Sequence, residues 1–127
     1  MSRLCRELRI GDAVRLTGHR EDAERLLAAA TVAVLSSRDE GLGTTLMDAM
    51  PWGIPVVATA TGGVPEVVRD GIDGLPSPLG DADTLGRHLV AVLNDTGLRA
   101  RIAEFSSERV VERTIDVYRD ALYSARC

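Results

Sequence analysis

Two apolar runs, Thr31–Ser36 (TVAVLS) and Pro55–Thr59 (PVVAT), constrain this chain's fold most tightly. Both are rich in β-branched residues and lack polar alternation, which is the pattern of strands covered on both faces. The segment between them starts with glycines and meets Pro51, which cannot continue a helix and restricts the residue before it. A helix from Gly43 or Thr44 to Met50 is therefore expected. Strand, helix and strand with short connections imply an α/β layer fold, with a parallel sheet and helices on both of its faces. At 127 residues there is length for one compact domain and too little for two.

The flanking segments fit the same scheme. Leu4–Leu8 reads as the end of a helix stopped near Gly11, and Ala13–Thr17 (AVRLT) as a short strand running into Gly18. Glu21–Ala30 carries Ala23, Leu26, Leu27 and Ala30 at helical spacing. Val64–Arg69 is a short helix with Pro65 in its first turn. Gly74–Ser77 is a weak edge strand. Asp81–Asn94 is an amphipathic helix with Leu85, Leu89 and Val92 on one face and Asp81 as its N-cap. Helices are also expected over Gly97–Glu104 and Ser107–Ala125.

Composition excludes several classes of function. A net charge of −4 provides no electrostatic footprint for nucleic acid or an anionic membrane. Aromatic residues are 3% of the chain, too few for base-stacking platforms. No segment approaches the roughly 20 apolar residues of a membrane span, and the charged N-terminus has no signal-peptide core. Cys5 and Cys127 form no metal-binding spacing with either histidine, so no metal site is expected and both thiols are expected to be reduced. A cytoplasmic location follows as the expectation.

In parallel sheets ligands bind beyond the C-terminal strand ends, where Ser36–Gly43 and Thr59–Glu66 fall. Glu40-Gly41-Leu42-Gly43-Thr44-Thr45 leads from a strand into a helix. Its free backbone N–H groups and the helix dipole favour an anion such as a diphosphate. Without the Gly-Lys-Ser/Thr ending it is no Walker A loop. Glu40 stays in the loop and Asp48 stands about one turn into the helix, so two carboxylates could each accept hydrogen bonds from vicinal hydroxyls. Gly62 and Gly63 leave room at the next strand end, and Glu66 lies in the first turn of the helix that follows. A capped glycine-rich turn, a solvated acid and a dipole-compensating Glu66 would explain the same residues without any ligand.

The run VLSSRDEGLGTTLMDAMPWGIPVVATATGGVPEVVRDGIDG resembles the signature of retaining GT-B glycosyltransferases of family 4, the glycosyl transferases group 1. The elements that match are a strand ending in Ser, Glu-Gly-x-Gly, a second acid after seven residues, Ala-Met, Gly-x-Pro-Val-Val and Gly-Gly-x-x-Glu. Val14-Arg15-Leu16-Thr17-Gly18 stands where the family has its V-x-F-x-G strand, and the likeness extends from about Leu8 to Tyr123. It implies a partial, Rossmann-like C-terminal domain and transfer of a sugar, with retention, from a nucleoside-diphosphate sugar to an acceptor. It further implies that Glu40 faces the donor sugar as the catalytic-site acid, that Gly41, Leu42, Gly43 and Thr44 face sugar and diphosphate, and that Asp48 holds the ribose. Gly18, Gly62, Gly63 and Glu66 complete the implied donor site, with His19-Arg20 near the base. No cofactor or metal is implied.

The departures are Asp48 where the family has Glu, Leu42 where it has an aromatic, and Pro51 where alanine is common. The family's first domain is not represented, nor are the first two strands of its second domain with their basic residues. A missing N-terminal domain or companion chain is thus an expected partner. The Val14 strand should then pair elsewhere or leave its place to another chain. Self-association through the last helix is also expected. The alternative is a non-catalytic nucleotide-sugar-binding or interaction module of the same fold.

Overall fold

The computed structural model describes residues 2–41, 43–104 and 112. Leu42 and most of the helix expected over 107–125 lie outside the described residues. The elements are α1 (Ser2–Glu7), α2 (Ala23–Ala28), β1 (Ala33–Leu35), α3 (Thr44–Ala49), β2 (Val56–Thr59), α4 (Val64–Val67), β3 (Gly74–Ser77) and α5 (Ala82–Asn94). A further helix, α6, covers 96–104. Single 3-10 turns occupy Gly11–Ala13 and Met50–Trp52. The strands form one parallel sheet in the order β1-β2-β3.

Strand β2 is central and all of its residues are buried. Its side chains alternate between faces, as the pleat requires. Val56 and Ala58 join Leu46, Ala49 and Met50 of the α3 segment and Val64 and Val67 of α4 in one apolar cluster. Val57 points the other way, into a cluster with Leu75, Val92 of α5 and Ile102 of α6. The expected layers, with helices on both faces, are therefore present.

Strand β1 departs from expectation. Thr31–Ser36 was expected to be covered on both faces, yet only Ala33–Leu35 is strand and Val34 is 44% exposed. The reason is its place at the edge: α5 packs over β2 and β3, which leaves the face of Val34 open. Among the described residues the outer side of β1 has no strand beside it.

The expected strand Ala13–Thr17 does not form. Val14 has extended dihedrals, φ −118° and ψ 120°, but the stretch after it is irregular and exposed. A strand exists only by pairing, and no described strand lies beside this one. Neither direct pairing with β1 nor pairing elsewhere is seen among the described residues.

Other boundaries shift for local reasons. Helix α1 ends before Gly11 because Arg9 takes a left-handed conformation (φ 55°). Its neighbour Ile10 closes the turn by donating its N–H to the Cys5 carbonyl at 2.9 Å. Pro51 does not stop the chain's turn at Met50; it sits in the 3-10 turn Met50–Trp52, where no helical N–H is required of it. Asp73, fully buried, accepts from the Arg69 backbone N–H at 3.2 Å and from its guanidinium at 2.7 and 3.0 Å. That knot ties the end of α4 to the start of β3.

Candidate functional site

The loop after β1 and the turn after β2 meet at the C-terminal end of the sheet. Ser37 Oγ donates to Glu40 Oε2 at 3.1 Å. Across the strands, Thr61 Oγ1 donates to the Arg38 carbonyl at 3.1 Å, and the Gly63 N–H donates to the Gly41 carbonyl at 2.8 Å. Gly62 lies directly against the peptide of Glu40: a Cβ there would stand 1.5 Å from the Glu40 carbonyl oxygen, and its φ is +53°. Only glycine meets both conditions.

Helix α3 begins as the sequence suggests, at Thr44. Its N-cap is Gly43, in a left-handed conformation at φ 65°, and no side chain caps the end. Thr44 is the first residue of the helix and does not cap it. The first-turn amides have no carbonyl behind them within the helix, and the first bond back to the cap is Leu46 N–H to the Gly43 carbonyl at 2.8 Å.

Asp48 and Thr45 stand three residues apart on α3, on one face. They form one wall of an open groove of about 650 Å³. The groove is also lined by Thr17, Gly18, His19 and Arg20, by residues of α2 and by Val32–Val34 of the β1 edge. Arg20 makes a two-pronged ion pair with Asp22 at 2.7 and 2.6 Å, and this guanidinium holds the Asp22 carboxyl below its ordinary range.

The expected site residues thus fall into two adjoining groups. Gly18 and Asp48 share the groove. Glu40 and Gly41 are joined to Gly62 and Gly63 by the cross-loop contacts, with Gly43 and Thr44 leading from that loop into the helix that carries Asp48. Glu66 is exposed in the first turn of α4, and Leu42 is outside the described residues. Ser37, Thr61 and Thr45 were not singled out as site residues from the sequence. The Ser-x-x-Glu spacing of Ser37 and Glu40 is a signal that could have found the first of them.

A parallel α/β sheet with a glycine loop and a helix start without a side-chain cap at its C-terminal edge, and an open groove beside β1, defines a Rossmann-like class of fold. The family model described as "Glycosyl transferases group 1" matches residues 1–95. This chain belongs to that family. A lipopolysaccharide core biosynthesis glycosyltransferase of Rhizobium meliloti is 34% identical over 98% of this chain and 38% of its own length. The N-acetyl-alpha-D-glucosaminyl L-malate synthase of Bacillus anthracis is 30% identical over 94% of this chain and 34% of its own. The Anabaena protein HepE, solved in complex with UDP, superposes with a TM-score of 0.86 at 27% identity over 97% of this chain and 35% of its own. The chain thus spans little more than a third of these relatives. The architecture is a partial GT-B C-terminal domain of Rossmann-like type.

Proposed function

We propose that this chain supplies the donor-binding part of a retaining family 4 glycosyltransferase, taking a nucleoside-diphosphate sugar. The observation that carries the reading is the continuity of the two groups: the Glu40 loop leads through Gly43 into the helix whose Asp48 lines one groove with Gly18. HepE, which shares this fold over nearly the whole chain, was solved with UDP and with UDP-glucose.

In this reading the Asp48 carboxylate accepts hydrogen bonds from the ribose hydroxyls, and the loop around Gly18, His19 and Arg20 borders the base. The amides from Gly41 to Thr44 face the diphosphate, where the helix start offsets charge growing on the leaving group. Glu40 accepts from hydroxyls of the sugar. The sugar passes to an acceptor hydroxyl with its configuration kept, and no carboxylate forms a covalent intermediate. The assignment needs no metal and no cofactor.

An N-terminal domain or companion chain would bring the acceptor side and the basic groups for the diphosphate. The chain's length relative to its relatives and the open side of β1 support this. A cytoplasmic location belongs to the same proposal. Among the described residues no helix is long and apolar enough to cross a membrane.

Isothermal titration of the chain with UDP, GDP and ADP tests the proposal. Saturable binding of at least one is expected, at micromolar to millimolar strength. Absence of binding to all three would remove the donor-site assignment.

A further inference from the structure

We infer that Thr61 and Ser37 are positioning residues for Glu40, and that the turn after β2 acts as a template for the Glu40 loop without touching the donor. The inference rests on the reading of Glu40 as the acid that meets the sugar.

Glu40 lies in an irregular loop, where nothing in the local backbone fixes a carboxylate. Three bonds do so instead. Thr61 Oγ1 reaches across from a turn 23 residues later to hold the Arg38 carbonyl. The Gly63 N–H holds the Gly41 carbonyl at 2.8 Å, so the chain two residues before Glu40 and one residue after it is fastened to the same turn. Ser37 Oγ then fixes the carboxylate itself through Oε2 at 3.1 Å. Among the described residues the other oxygen, Oε1, takes part in no hydrogen bond, so it is the one directed to a ligand's hydroxyls.

Gly62 explains why the turn needs a glycine at that position. Its Cα lies so close to the Glu40 carbonyl that any side chain would push the loop off the turn. The Gly-Gly element is therefore occupied with the protein's own backbone. Asp48 and Gly18, by contrast, share no bond with this clamp. Loosening the clamp should weaken recognition of the sugar more than that of the nucleotide, whose ribose and base ends lie at Asp48 and Gly18. A residue that merely supported the fold would weaken both equally.

The test compares wild type, Thr61→Val, Thr61→Ser and Ser37→Ala. Each is titrated with UDP, GDP and ADP and with UDP-glucose, GDP-glucose and ADP-glucose, and amide hydrogen exchange is measured without ligand. Thr61→Val should speed exchange of the amides over 39–41 and of Gly63. It should also lower affinity for the bound sugar nucleotide roughly fivefold to tenfold, as loss of one hydrogen bond does, and that for the matching diphosphate by clearly less. Ser37→Ala should show the same affinity split, and Thr61→Ser should restore wild-type behaviour in both measurements. Unchanged exchange in Thr61→Val would overturn the clamp. Faster exchange with sugar nucleotide and diphosphate affected equally would overturn the positioning role. If wild type binds none of the six, the donor reading falls and takes the role in sugar recognition with it. The exchange result then still shows separately whether the clamp exists.

Discussion

Glu40 and Asp48 illustrate what can be read at the scale of single residues. Their relation is set locally, because Gly43 takes a left-handed turn and the helix starts at Thr44. Spacing alone then puts Glu40 before the helix and Asp48 within its second turn. The contacts that hold Glu40 are only partly local. Ser37 is three residues away and its bond follows a recognisable spacing, but Thr61 and Gly62 reach Glu40 only because β1 and β2 are neighbours. From the sequence, Gly62 and Gly63 were expected to leave room at the strand end; at Gly62 that room is filled by the Glu40 peptide. For Asp48 the proposal makes a specific claim. Asp48→Ala should lower affinity for the diphosphate roughly tenfold, the effect of losing a charged hydrogen-bond acceptor. Asp48→Glu should keep most of it, since the carboxylate and its face of α3 are retained. Calorimetry decides, and an unchanged affinity in Asp48→Ala would detach this residue from the nucleotide.

Among the elements, α5 was the most legible. Asp81 caps it as expected, accepting from the Thr84 backbone N–H at 2.9 Å and from its hydroxyl at 2.6 Å. These bonds, the hydroxyl's foremost, hold the Asp81 carboxyl below the ordinary aspartate value of 3.8. The sign follows directly. A carboxylate whose folded pKa is depressed adds stability above its unfolded value and loses it as pH falls through the folded one. Asp81→Ala should therefore lower Tm at neutral pH, and the gap from wild type should shrink as the pH is taken below about 4. A gap that stays constant in acid, followed by circular dichroism, would show that the cap's charge contributes nothing. The strands were less legible than the helix. AVRLT has strand-like residues and an extended Val14, but a strand depends on what lies beside it, which this segment's residues do not encode. The same reason exposes Val34: β-branched composition suits a covered strand, yet the covering helix lies elsewhere.

Among the described residues the sheet is open on the outer side of β1. Val34 on β1, Leu26 on α2 and Val14 and Leu16 in the extended segment are all exposed, around or close to the groove. Exposed apolar surface of this kind favours association. The chain alone should therefore form concentration-dependent oligomers by sedimentation velocity, and a companion segment that completes the sheet should suppress them. A strictly monomeric chain at high concentration would contradict that expectation. The fold class was readable because alternation of strand and helix is a local property of successive segments. The incompleteness of the sheet was inferred from resemblance, and it is consistent with a chain that spans 38% of its Rhizobium meliloti relative.

The central claim is that the turn from Glu40 to Asp48 and the groove beside it receive a nucleoside diphosphate. Chemical-shift mapping of the isotope-labelled chain during titration with UDP, GDP and ADP tests it most directly. The account predicts that one of them shifts the amides of Gly18, Gly41, Gly43, Thr44, Thr45 and Asp48 first and furthest. Shifts confined to residues outside the turn and the groove, such as residues 90–94 at the end of α5, or no shifts up to millimolar ligand, would contradict it.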